Sequence, residues 1–393
     1  MRPIITSLLD TDFYKFSMGQ CYLHRFPNEQ ARWEFKSRTK GVKLGYLKPE
    51  IDEQLDYLCQ LKLTQDELDY LSTIPWLTKD YIEWLEDLQL KRKYITVTDN
   101  DGELEIVAEG PQLKVFWFEI FVLEIVQQLY MGEQEIDIRV AKKNLQDVID
   151  KFNAATDAGI KFTLADFGAR RRYSKLWQYK VVKEFAKQCK AFVGTSNVWL
   201  AKEFGIKPIG TFAHEMYAIA QGLENVPVRQ AQKAVLDAWT QEYRGDLGIA
   251  LSDNFGFNAF LKDFDKFYAK LFDGCRHDSG DPYKWGDMLI AHYKKLGIDP
   301  MTKTGCWSDS LDVDKAIDIA KYFNDKIKVS FGIGTFLTNN VGGKPLSMVM
   351  KVVETNGKPV VKLSDAPGKI MCKDEDYINY VKKVYEYKSI DEE

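Results

Sequence analysis

The sequence predicts an α/β protein: a β/α barrel of about seven strands joined to a second α/β domain built from both ends of the chain. Three observations carry this. From about residue 160, seven short apolar runs are each followed by a helical stretch, the grammar of a parallel sheet. No reversal point interrupts the seven units, which favours a barrel over an open sheet. The polar signatures fall repeatedly where a strand ends and a helix begins, and in a β/α barrel all those ends share one face. The expected boundaries are 1–135 for the N-terminal domain, 136–341 for the barrel, and 342–393 for a C-terminal hairpin and tail packing on the N-terminal domain.

Taken in order, SLLDTDFYKFSM opens the chain with Asp12, Tyr14 and Lys15 ahead of a helix, and ARWEFKSR reads as a strand. Residues 50–90 have helical periodicity, with start signals at Thr64 (a capping box with Glu67) and Thr78. KRKYITVTDNDGELEIVAEG reads as a hairpin turning at Asp101-Gly102. The apolar helix that follows, with Phe116, Trp117, Ile120, Phe121, Leu123 and Ile125, suits a core or a subunit interface. The seven barrel units start at FTLADFG, AFVGTSN, IGTFAHE, IALSDNFG, CRHDSGD, TGCWSDS and KVSFGIG. LSMVMKVVETNGKPVVKL is a hairpin turning at Asn356-Gly357, and the terminal KSIDEE is expected to fray.

The 393 residues are 45% hydrophobic and 28% charged, with 54 basic against 58 acidic side chains. Such a balance excludes wholesale disorder and gives no reason to expect nucleic acid as a partner. Six cysteines form no CxxC pair and only four histidines are present, so zinc-finger spacing is absent and reduced thiols are expected. The N-terminus lacks the apolar core of a signal peptide. The most apolar run, 115–126, is broken by Glu119 and Glu124 and is shorter than the ~20 residues a bilayer needs. A cytoplasmic protein without a membrane partner is expected.

The strand ends hold the chemistry. GTSN and GIGT pair glycine with hydroxyl residues at a helix start, where backbone N–H groups favour phosphate. Asp278 and Asp281, beside Arg276 and His277, are carboxylates able to hold ribose hydroxyls or Mg²⁺. Of Arg170, Arg171 and Arg172, the last two read as a solvated helix start. A basic run at the positive end of a helix is unfavourable, however, and points to an anion. His214 ends IGTFAH; a neutral imidazole is a nucleophile near pH 7, and the adjacent Glu215 carboxylate is positioned in sequence to orient it. Asp312 and Asn254 read as ordinary helix caps. His24 and His292 read as structural, and His277 as a ligand or a spacer.

Together these motifs resemble the nicotinate phosphoribosyltransferase family of bacterial and fungal type. The resemblance runs from Thr11-Asp-Phe-Tyr14 through Asp166-Phe-Gly-Ala-Arg-Arg171, Gly194-Thr-Ser-Asn197, Gly210-Thr-Phe-Ala-His-Glu215, Arg276-His-Asp-Ser-Gly-Asp281, Ser308-Asp309 and Ser330-Phe-Gly-Ile-Gly334. It implies an irregular barrel of the type II phosphoribosyltransferase kind. The implied reaction converts nicotinate and phosphoribosyl pyrophosphate (PRPP) to nicotinate mononucleotide and pyrophosphate in NAD salvage, with Mg²⁺. ATP hydrolysis would be coupled through a phosphohistidine at the position of His214. By the same resemblance, Phe167 and Tyr14 cover the two faces of the pyridine ring, Tyr14 coming from a second subunit of a homodimer. Arg170 and Arg276 surround the ring and pyrophosphate. Asp278 and Asp309 face the ribose. Thr195, Ser308, Gly332, Gly334 and Thr335 belong to the phosphate and ribose loops. Ser196 stands where the related nicotinamide enzyme has aspartate; a serine donates to a carboxylate and adds no charge, which suits the acid. The alternatives are a nicotinamide or quinolinate phosphoribosyltransferase, a barrel lyase with a Schiff-base lysine, and a non-catalytic nucleotide-binding barrel.

Overall fold

A computed structural model describes residues 2–366 and 370–392. It contains two sheets. The seven strands Thr163–Asp166, Phe192–Thr195, Lys207–Pro208, Ile249–Leu251, Gly274–His277, Thr304–Trp307 and Lys328–Ile333 are all parallel. They lie in the order third, second, first, seventh, sixth, fifth, fourth. The sheet therefore curls into an irregular half-barrel whose seam falls between the third and fourth strands. Side chains bridge that seam: Thr211 Oγ1 donates to the Ile249 carbonyl at 2.8 Å, and Tyr217 Oη to the Leu251 carbonyl at 2.7 Å.

The second sheet is antiparallel and five-stranded, with Lys358–Pro359, Met348–Thr355, Gln30–Ser37, Glu103–Pro111 and Ile95–Asn100 side by side. Its centre is where the chain ends meet, Trp33 pairing with Val352 and Phe35 with Met350. Both hairpin turns occur at the expected dipeptides. Asp101 and Gly102 have φ of 51° and 90°, and Asn356 and Gly357 of 52° and 74°, the two positive values a tight two-residue turn requires. The capping box at Thr64 and Glu67 is present.

Helix Phe118–Gly132 packs between the layers, against strand Met348–Thr355 and the short turn Ala169–Arg171. With the preceding turn it makes 21 residues, long and apolar enough to cross a membrane, more than the apolar run alone indicates. Yet 78% of its most apolar 18-residue window is buried inside the fold, so it is a core helix. Its two glutamates are partnered: Glu119 meets Lys15 at 2.7 Å, and Glu124 meets Arg172 at 3.2 Å.

Three local expectations are corrected. The helix after the arginines begins only at Lys175, where the Ser174 hydroxyl accepts from Trp177 N, so Arg170–Arg172 precede the helix. The helical stretch expected after the fourth barrel run is two helices, Phe257–Asp263 and Lys266–Leu271, because Asp265 caps Phe267 N and starts the second. The C-terminal residues do not fray: Ile390 is buried, and Ser389 donates to the Asp365 carbonyl at 2.8 Å. Glu393 lies outside the described residues. Helix Glu375–Val384 packs near the turn Val228–Gln230, and Tyr385 donates to the Val228 carbonyl.

Candidate active site

A cavity of about 350 Å³ opens at the C-terminal ends of the barrel strands, with residues 348–352 of the antiparallel sheet and 360–362 just after it forming the opposite wall. Tyr14, Phe167, Arg170, Ser196, His214, Arg276, Asp278, Ser308, Gly332, Gly334 and Thr335 all line it. Apart from Tyr14, on helix Tyr14–Arg25, they come from several strand ends, and the fold brings them to one place.

One corner is apolar and carboxylate-rich. Phe167 follows the first strand and lies across the seventh: a Cβ at Gly332 would sit 2.2 Å from the Phe167 ring. Gly332 thus makes room for an aromatic platform. Arg276 covers that ring, its guanidinium 6.0 Å from the centroid. Arg170 donates to Tyr14 Oη at 2.7 Å and to Asp12 at 3.4 Å, and lies 3.7 Å from Glu119. Tyr14 of the same chain reaches this corner through Arg170. Ser196 donates to Asp12 at 2.5 Å, which places a carboxylate beside the serine that was read as a charge-free position.

The other corner is built around His214. Glu215 does not orient it; that carboxylate faces away and pairs with buried Lys15 at 2.5 Å and with Tyr22 Oη at 3.1 Å. The orienting carboxylate is Asp253, 2.7 Å from His214 Nε2. Burial and the nearby Lys362 ammonium push the imidazole down to about 4, against the pull of Asp253, so it is neutral at pH 7. Burial alone would raise Asp253; Lys362 at 2.9 Å and His214 outweigh it and hold the carboxylate ionised. An ionised Asp253 accepts the Nε2 hydrogen, which leaves the Nδ1 lone pair free. Asp278 lies 3.7 Å from His214, 3.0 Å from Arg276 and 3.5 Å from Lys362, and Arg276 and Lys362 keep it ionised despite burial. Ser308 accepts from Arg276 Nε at 2.9 Å.

A group of cations completes the wall. Burial, Lys362 and Arg38 lower Lys351 to about 7; burial, Arg170 and Arg38 lower Arg171 to about 10. Cations that depress one another in a cavity favour an anion between them.

Three expected site residues lie elsewhere. Thr195 is fully buried behind the cavity and donates to Asp166. Asp281 is a helix cap, accepting from Tyr283 N and Lys284 N. Asp309 does not line the cavity, though its charge reaches Arg171 and His277. The solvated reading of Arg172 is also corrected: it is buried, bonded to Asp10 at 2.6 Å. Asp312 caps its helix as expected, through Lys315 N. Asn254 does not: Gly256 holds the cap position and Asn254 lines the cavity with its amide buried. Asp253, Lys351 and Lys362 were missed. Asp253 sat in a strand-end motif whose next residue drew attention as a cap. The lysines sat in an alternating hairpin, where polar positions read as solvent-facing.

The N-terminal and main models of the nicotinate phosphoribosyltransferase family match residues 9–127 and 162–389. The chain belongs to the nicotinate phosphoribosyltransferase family. It is similar to a nicotinate phosphoribosyltransferase of Chromobacterium violaceum, 48% identical over 98% of this chain and 97% of the relative. Another, from Acinetobacter baumannii, is 47% identical over 100% of both. Among solved structures, the Vibrio cholerae nicotinate phosphoribosyltransferase superposes with a TM-score of 0.92 at 34% identity, covering 98% of this chain and 94% of that one. A Saccharomyces cerevisiae structure titled a putative nicotinate phosphoribosyltransferase gives 0.89 at 30% identity, covering 99% and 100%.

Proposed function

We propose that the chain joins nicotinate to PRPP, giving nicotinate mononucleotide and pyrophosphate in NAD salvage. The observation that carries this reading is the meeting, in one cavity, of an aromatic platform with a cluster of cations. Phe167 suits a planar ring; Arg171, Lys351 and Lys362 suit a phosphorylated sugar.

The pyridine nitrogen attacks C1 of the ribose as pyrophosphate departs. Phe167 and Arg170 hold the ring, which is a positioning effect. Arg276, Lys351 and Lys362 stabilise the charge that accumulates on the leaving group. Asp278 holds the ribose and offsets positive charge developing at C1. Mg²⁺ is tested by donor chemistry. His214, Asp253 and Asp278 offer ligand atoms within 4.8 Å of one another, but Lys362 already lies beside both carboxylates. This fits an ion carried on the substrate phosphates, with Asp278 as protein ligand, better than a resident ion. When bound, Mg²⁺ supplies charge neutralisation at the pyrophosphate.

His214 serves the ATP-coupled part of the reaction. Its Nδ1 lone pair attacks the γ-phosphorus of ATP, ADP leaves, and the phosphoryl group later passes to water. A phosphoryl group at His214 adds contacts that favour PRPP binding. A homodimer and a cytoplasmic location accompany this reading, with no nucleic acid or membrane involved.

The test is a substrate panel. Purified protein with PRPP and Mg²⁺ is given nicotinate, nicotinamide or quinolinate, with and without ATP, and mononucleotide is followed by mass. Product from nicotinate, formed faster with ATP, is expected. Product from nicotinamide alone would overturn the substrate, and product indifferent to ATP would overturn the role of His214.

A further inference from the structure

The base corner of the cavity stands on a buried loop of hydrogen bonds set back from the cavity wall. Asp166 ends the first barrel strand and accepts from Thr195 Oγ1 and Gln178 Nε2, both at 2.8 Å. Thr195 Oγ1 accepts from Asn197 N at 3.1 Å, and Asn197 Nδ2 donates to Asp10 at 2.8 Å. Asp10 accepts from Arg172 at 2.6 Å, and Arg172 donates back to Gln178 Oε1 at 3.2 Å. The six side chains close a ring; all are buried, and none lines the cavity.

Five of the six ring members are chain neighbours of base-corner residues; the sixth, Gln178 on helix Lys175–Gln188, joins Arg172 to Asp166. Asp166 precedes Phe167, and its Oδ1 accepts from Gly168 N at 2.8 Å, which fixes the turn carrying the aromatic platform. Its main-chain carbonyl accepts from Ser196 N at 2.8 Å. Ser196 sits between Thr195 and Asn197. Asp12 follows Asp10 by two residues, and Arg170 precedes Arg172 by two. The His214 corner shares none of these bonds: His214, Asp253, Asp278, Lys351 and Lys362 come from the later strands and the C-terminal hairpin, and of its cations Arg171 adjoins a ring member. Buried polar groups are costly unless fully paired, so a closed network holds its members to one arrangement.

We propose that Asp166, Thr195 and Gln178 are positioning residues that set nicotinate recognition through Phe167, Arg170 and Ser196, leaving PRPP recognition to the other corner. The inference rests on the reading of the cavity given above.

The experiment uses Thr195→Val, which keeps the shape and removes both hydrogen bonds, Asp166→Asn, and Thr195→Ser as the conservative rescue. KM and kcat are measured for each substrate. The expected result is a rise of about tenfold in the nicotinate KM for the first two variants, with the PRPP KM within about twofold of the parent and Thr195→Ser near the parent. Equal rises in both KM values, or a Thr195→Ser variant as impaired as Thr195→Val, would overturn it. Should Thr195→Val melt well below the parent or fail to fold, Asp166→Asn decides by the same split. Absence of nicotinate mononucleotide from the parent enzyme would instead refute the underlying reading of the cavity.

Discussion

The two corners of the cavity handle charge in opposite ways. Around the base corner every cation has a carboxylate at hand: Arg170 has Asp12 and Glu119, Lys15 has Glu119 and Glu215, and Arg172 has Asp10 and Glu124. Around the phosphate corner the cations crowd one another. Lys351 falls to about 7 and Arg171 to about 10, both through burial and then neighbouring positive charge. A small ring needs a stiff frame with little net field. A polyanion needs an excess of positive charge that its own arrival relaxes. The difference supports the proposed assignment of substrates to corners: in one the cations are matched by carboxylates, while in the other Arg276 and Lys362 share Asp253 and Asp278 and positive charge stays crowded.

The sharpest way to break this comparison is to remove the charge that links His214 to the cations. Lys362→Met should raise the PRPP KM by about tenfold or more and leave the nicotinate KM nearly unchanged. It also has a pH signature. Lys362 disfavours the imidazolium, so its loss moves the His214 pKa upward from about 4 toward the ordinary value of about 6.5. The neutral, nucleophilic form then persists only above the new pKa, and the acid limb of ATP coupling moves to higher pH. Titration of the His214 ring by NMR checks the shift; an unmoved pKa would separate Lys362 from His214.

A smaller effect sharpens the other side. Ser196→Asp puts a second carboxylate beside Asp12, which already accepts from Ser196 at 2.5 Å. Nicotinate should bind several-fold more weakly, while PRPP binding holds, because like charges at close range repel. Unchanged nicotinate kinetics would show that the acid group of the base does not approach Ser196.

Much of the fold was legible because its signals are local. Six of the seven barrel strands fall on the runs that periodicity marks, the third lying instead at Lys207–Pro208 just before IGTFAHE, and both hairpin turns follow from Asp-Gly and Asn-Gly. The split of one helix at Asp265 was not, since the aromatic run on either side keeps helical spacing across the cap. For the site, residues at strand ends were legible, since one topology sends them all to one face. Side-chain direction was not. Glu215 adjoins His214 in sequence, yet at the first turn of a helix consecutive side chains point to different faces, and the partner is Asp253 on the next strand. Lys351 was hidden for a related reason: only the pairing of Met348–Thr355 with Gln30–Ser37 turns that position toward the barrel, and Lys362 lines the cavity from the segment after the hairpin. Thr195 looked like a phosphate ligand by its motif and is instead part of the frame.

The account turns on His214 carrying a phosphoryl group in the cation-rich corner. The most direct measurement is ³¹P NMR of the protein incubated with ATP and Mg²⁺ near neutral pH, beside His214→Ala treated alike. The predicted result is a phosphoramidate resonance in the parent that is absent from the variant and fades as PRPP and nicotinate are turned over. No such resonance in the parent, or one that survives in His214→Ala, would contradict it.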